Sequence, residues 1–142
     1  MKTMEEVQRE VVEEFKLFDE WLDRYNLLIE MGQSLQVAGK PVSKTEANLI
    51  EGCQSRVWLE AEYVGGKVYF RGESDTVIIR GIVALLIRVL SGRTPAEILG
   101  NELPFIEEIG LREHLSPTRS NGVRSMVKRI RMYAKAYQES GR

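Results

Sequence analysis

Arg56-Val57-Trp58-Leu59-Glu60-Ala61-Glu62-Tyr63-Val64-Gly65-Gly66-Lys67-Val68-Tyr69-Phe70-Arg71-Gly72 decides the fold. Val57, Leu59, Ala61 and Tyr63 alternate with Trp58, Glu60 and Glu62. That period of two predicts a strand with one face buried and one face wet. Gly65-Gly66 then supplies the positive φ angles that a two-residue hairpin turn needs. Residues 67–72 form the returning strand. Just upstream, Asn48-Leu49-Ile50 reads as a short third strand.

The flanks read as helices. Ser74 or Asp75 is placed to cap a helix over 76–91, which is apolar on nearly all sides and therefore central. Thr94-Pro95-Ala96-Glu97 starts another helix, with proline tolerated in its first turn. A short one covers 105–110. The last begins near 117–120 and carries Val123, Met126, Val127, Ile130, Ala134 and Tyr137 as its apolar stripe. Arg124, Lys128, Arg131 and Lys135 lie mostly off that stripe. At the other end, Thr3-x-x-Glu6 has the form of a capping box. Val7, Val11, Phe15, Phe18 and Leu22 recur behind it at helical spacing. A second amphipathic stretch runs from Trp21 to about residue 35, with Gly32 weakening its end, and Gly39-Lys40-Pro41 marks a loop. The order α-α-β-β-β-α-α-α predicts one α+β domain over 1–142, with helices against a small antiparallel three-stranded sheet.

Composition agrees. The chain has 142 residues, 43% of them hydrophobic and 29% charged, with a net charge of −1. Those values describe a globular domain, not a disordered one, and offer no overall field for nucleic acid. The apolar stretch at 77–90 holds Arg80 and Arg88 and is too short to span a bilayer. No N-terminal signal segment stands out. A reducing, cytoplasmic home is the expectation. Charge is unevenly spread. Residues 1–30 hold four Lys/Arg against nine Asp/Glu, a charge of −5, and residues 112–142 hold eight against two, a charge of +6.

The chemistry concentrates in Glu51-Gly52-Cys53-Gln54-Ser55-Arg56-Val57-Trp58. Cys53 is the single cysteine, so no disulfide closes within the chain. A packed thiol, a metal ligand and a nucleophile remain. A packed thiol is the commonest fate of a free cysteine, but the polar neighbours do not read as a core run. Metal binding is disfavoured, since a closed zinc site wants about four ligands and His114 is the only histidine. Gly52 lets the backbone take a tight, exposed conformation directly before the sulfur.

This segment resembles the signature of the SufE-type sulfur-acceptor proteins. Three further blocks resemble the family in the same order. They are Gly72-Glu73-Ser74-Asp75 leading into the apolar helix with Gly81, Arg93-Thr94-Pro95-Ala96-Glu97-Ile98, and His114-Leu115-Ser116-Pro117-Thr118-Arg119-Ser120-Asn121-Gly122. The likeness extends over about 15–137 of the 142 residues. It implies a SufE/IscU-like fold, related to iron–sulfur scaffold proteins. It also implies that Cys53 carries sulfur as a persulfide. A SufS-like, pyridoxal-phosphate-dependent cysteine desulfurase would donate that sulfur, and a downstream iron–sulfur scaffold complex would receive it. The pyridoxal phosphate belongs to the partner, and this chain is expected to need no cofactor or metal. Gly52, Gln54, Arg56 and Arg119 are the implied persulfide environment, and Glu51, Asp75 and Asn121 the implied partner contacts.

Two rival readings come from other classes. A cysteine hydrolase needs a base beside its nucleophile, and only His114 is available. A nucleic-acid module could use the basic last helix, but no binding motif accompanies it. Neither nucleic acid nor membrane is expected as a partner.

Overall fold

The computed structural model describes residues 2–34, 42–50 and 55–140. Two helices open the chain, α1 (Met4–Lys16) and α2 (Trp21–Gln33). A 3-10 turn (Glu46–Asn48) follows. Strands β1 (Val57–Val64) and β2 (Lys67–Ser74) form the hairpin. Helices α3 (Val77–Leu90), α4 (Pro95–Gly100), α5 (Phe105–Glu108), α6 (Leu111–His114) and the long α7 (Pro117–Ser140) complete it.

The hairpin has the expected register. Val64 pairs with Lys67 across Gly65 and Gly66, whose φ angles are 59° and 82°. Both are positive, as the turn requires. β2 runs two residues beyond the expected Gly72, because Trp58 and Val57 still offer partners to Glu73 and Ser74. Glu60 and Arg71 stand directly opposite on the wet face and form an ion pair at 3.0 Å, and Arg71 also reaches Glu62. Val57 and Leu59 on the other face are buried.

The expected third strand is reduced among the described residues to one bridge, Leu49 against Trp58. Among the described residues the sheet is two-stranded. Asn48 closes the 3-10 turn, so extended chain begins only at Leu49. The free edge of β1 is taken by other groups. The Val57 carbonyl accepts from the Ile50 amide at 2.8 Å, but the next two carbonyls on that edge accept from α7 hydroxyls. Tyr133 donates to Leu59 and Tyr137 to Ala61. A helix thus covers an edge that a longer strand would otherwise pair.

Helix α3 is central as expected. Ten of its residues are buried, from Ile78 to Leu90. It packs against α1, α2, β2 and α7. The expected capping box at Thr3–Glu6 is present, and the helix start at Thr94 also closes one, with Glu97. Helix α1 ends at Lys16 once Val7, Val11 and Phe15 are buried, and Leu22, expected to extend that stripe, is exposed on α2. No described helix is long and apolar enough to cross a membrane.

Two carboxylates that tie elements together, Glu14 and Glu60, titrate low, as do Glu6 and Glu97 in their capping boxes. A side-chain hydrogen bond from Arg88 on α3 holds Glu14 on α1 below the ordinary value of 4.5. Arg71 does the same to Glu60 across the hairpin. The Thr94 backbone amide lowers Glu97 within its capping box. A carboxylate with a depressed folded-state pKa stabilises the fold above its unfolded pKa, and that contribution is lost as pH falls through the folded value. The thermal midpoint is therefore expected to hold from neutrality down to about pH 5 and to fall below it. Glu14→Gln combined with Glu60→Gln should flatten the decline, as read by circular dichroism melts. An equally steep decline in the double variant would contradict this assignment.

Candidate functional site

Residues 51–54, with Glu51, Gly52, Cys53 and Gln54, lie outside the described residues, but both flanks are described. On the entry side, Ile50 donates its amide to the Val57 carbonyl, and Leu49 bridges to Trp58. On the exit side, Ser55 Oγ lies 2.6 Å from Thr76 Oγ1 at the start of α3. Arg56 donates its amide to Asp75 Oδ1 at 3.1 Å, and its carbonyl accepts from the Asp75 amide and from Ser74 Oγ. Short oxygen-bearing side chains favour such local backbone bonds. The cysteine segment thus enters and leaves at one end of the hairpin, beside the N-terminus of α3.

Ser74 and Asp75 differ in role from the expected caps. Thr76 is the N-cap of α3 and makes no side-chain capping bond. Its amide donates to Ser74 Oγ at 3.3 Å. Asp75 instead fixes Arg56, joining two of the expected site residues through backbone bonds. Arg56 and Asp75 are both exposed, as is the neighbouring Val77.

Arg119 and Asn121 sit in the first turns of α7. Ser116 Oγ accepts the Arg119 amide at 3.3 Å, so the serine caps this helix with Pro117 behind it. The Arg119 guanidinium donates to the Tyr25 hydroxyl on α2 at 3.2 Å. Asn121 is exposed. The bonds described therefore tie Arg56 to Asp75, and tie Arg119 to α2. His114, the base that a hydrolase would need, stacks on Trp21 with ring centroids 4.2 Å apart. Its Nδ1 lies 3.0 Å from the Gly110 carbonyl, an acceptor, so that nitrogen donates.

Arg129 was not singled out in the sequence. Its Nη2 donates to the carbonyls of Ala47 and Leu49 at 3.1 and 3.5 Å, and its guanidinium lies over the Tyr133 ring. It clamps the chain that leads into the cysteine segment onto α7. Nothing in its sequence position separates it from the other cations of that helix. Arg129→Ala should speed exchange of the Ile50 amide by about tenfold, the worth of one hydrogen bond. Unchanged exchange would show that Arg129 does not hold this strand entry.

The family model for SufE, an Fe-S metabolism associated domain, matches residues 9–134. The chain belongs to the SufE family. An uncharacterized SufE-like protein of Rhizobium meliloti (strain 1021) is 41% identical over 130 residues, covering 88% of this chain and 92% of the relative. Another from Synechocystis sp. is 38% identical over 128 residues, covering 90% and 80%. The solution structure of a hypothetical protein from Thermus thermophilus superposes with a TM-score of 0.75. It is 22% identical, covers 94% of this chain and 96% of that one, and shows the α+β fold is shared. For this SufE-family chain, a place in Fe–S metabolism follows from the family. Among the described residues, no group of three or more His, Cys, Asp or Glu could hold a metal ion.

Proposed function

We propose that this SufE-family chain accepts sulfur on Cys53 from a SufS-like cysteine desulfurase, stimulates that enzyme, and passes the sulfur to an iron–sulfur scaffold complex in the cytoplasm. The observation that carries this reading is the family match over 9–134, with the single cysteine of the chain inside it. Supporting it is the bonding of both flanks of 51–54 to one end of the hairpin.

The reaction is a thiol–persulfide exchange. The Cys53 thiolate attacks the terminal sulfur of the donor persulfide. One S–S bond forms at Cys53, the donor's S–S bond breaks, and the donor cysteine departs as a thiolate. One sulfur atom moves and no outside oxidant is needed. Thiolate fraction and access set the rate. Arg56, Arg119 and the first amides of α3 would supply positive potential to the thiolate or persulfide. With no second cysteine, no internal disulfide can discharge the persulfide, which suits a carrier. Arg56, Asp75 and Val77 would meet the desulfurase, with Glu51 and Asn121 as further contacts, and Gly52 and Gln54 would lie beside the persulfide. The hydrolase reading would call on His114, whose ring is taken up by Trp21 and the Gly110 carbonyl.

Incubation with a desulfurase and labelled cysteine should add sulfur to the intact chain, mapped to the peptide holding Cys53 and removed by dithiothreitol. A chain that stays unmodified while its partner turns over would refute the reading.

A further inference from the structure

A groove of about 570 Å³ opens between α7 and the α4–α5 connection, with its lining on elements other than the strands and α3 that anchor the cysteine segment. Its floor is apolar. Ile106 and Val123 are buried there, and Leu103 and Val127 are partly buried against the core. Met132, 57% exposed, continues the apolar surface at one end.

The α7 wall is cationic. Arg124, Lys128, Arg131 and Lys135 all line the groove. Their spacing of four, three and four residues keeps them on one helical face. At a rise of 1.5 Å per residue the row is about 16 Å long. Arg131 donates to the Asn101 carbonyl at 3.0 Å. Arg124, Lys128 and Lys135 are exposed and form no ion pair among the described residues. Glu102 and Glu107 stand on the opposite lip. The two walls therefore differ in sign.

We propose that this groove docks an amphipathic helix of a partner protein, with its apolar stripe on the floor and an acidic flank along α7. Charge complementarity selects that occupant. A row of cations at helical repeat matches carboxylates at the same repeat on a helix lying alongside. The groove presents side chains and no free strand edge, so an extended peptide gains no backbone pairing here. A second copy of this chain does not fit the description. Its acidic amphipathic helix α1 already buries Met4, Val7, Val11 and Phe15 in its own core. The proposal does not depend on Cys53.

The probe is a labelled synthetic peptide of about 16 residues, long enough for a marginal helix, with leucines on one face and glutamates on one flank. Fluorescence polarisation with the full chain should give saturable binding that weakens as salt rises. A peptide with lysine in place of each glutamate should bind about tenfold more weakly. The R124E/K128E variant should reverse that preference, and Cys53→Ser should leave it unchanged. Amide shift changes on binding should centre on Leu103 and Val127. Equal binding of the two peptides, or the same preference in the charge-reversed variant, would overturn the proposal. So would dodecanoate occupying the groove when the acidic peptide does not. Self-association of the chain through these residues would overturn it as well.

Discussion

Cys53→Ser should reduce sulfur acceptance to zero and leave the desulfurase at its basal rate. The substitution exchanges sulfur for oxygen and changes little else. A hydroxyl cannot form a persulfide, and at neutral pH it is a far weaker nucleophile than a thiolate. The sequence holds no second cysteine to stand in. Stability should move by no more than about 0.5 kcal/mol, the range of substitutions that leave packing and pairing untouched. Intact-mass analysis, desulfurase turnover and a urea melt of the same preparation separate the two effects. Full stimulation by the serine variant would remove Cys53 from the mechanism. Loss of stimulation together with an unfolded chain would instead point to a packed thiol.

Gly81→Ala should be the most damaging single-methyl change in the fold. In an isolated helix the same change would favour folding by about 1 kcal/mol. Here α2 crosses α3 with backbone against backbone. A Cβ on Gly81 would lie 2.1 Å from the Leu28 carbonyl oxygen and 2.6 Å from its carbon. A Cβ on Gly32, across the same crossing, would lie 2.8 Å from the Gly81 amide nitrogen. No flexible side chain can give way, so the helices must part, and Leu28 and Ile82 lose their packing. Overpacking of this kind costs about 3 kcal/mol, which outweighs the propensity gain of about 1 kcal/mol and leaves a net loss of about 2 kcal/mol, lowering the thermal midpoint by about 7 °C in a chain of this size. Gly100→Ala is the control. Nothing lies within 4 Å of its Cβ position, so its midpoint should hold or rise by the usual loss of unfolded-chain freedom. A Gly81→Ala protein as stable as the parent would show that α2 and α3 can separate without cost.

The contrast between Gly81 and its partner Gly32 marks where local pattern stops being informative. Gly32 reads in sequence as a helix weakener near the end of a stretch. Its partner at the crossing is 49 positions away, and only packing reveals that the two glycines serve one contact. Arg129 is similar. It is one basic residue on a basic helix until α7 lies beside Leu49.

Local signals carried much of the architecture. The alternation at 57–64 and the Gly65-Gly66 pair specify the hairpin, because side-chain period and turn geometry are properties of neighbouring residues. The capping box at Thr3, the helix start at Thr94 and the all-round apolar helix α3 are legible for the same reason. The motif blocks, in register along the chain, pointed to the family that the match over 9–134 shows. The third strand was not settled locally. Leu49 and Ile50 have strand character, but α7's Tyr133 and Tyr137 take the β1 carbonyls that a longer pairing would use. Ser74 and Asp75 both look like helix caps in sequence, and the return of Arg56 to their side draws the Asp75 carboxylate onto its amide. Sequence by itself determined the elements whose causes lie within a turn or a hairpin. Tertiary structure alone decided the edge of the sheet, the glycine crossing and the anchoring of the cysteine segment, because each is made by groups far apart in the chain competing for the same backbone atoms or the same space.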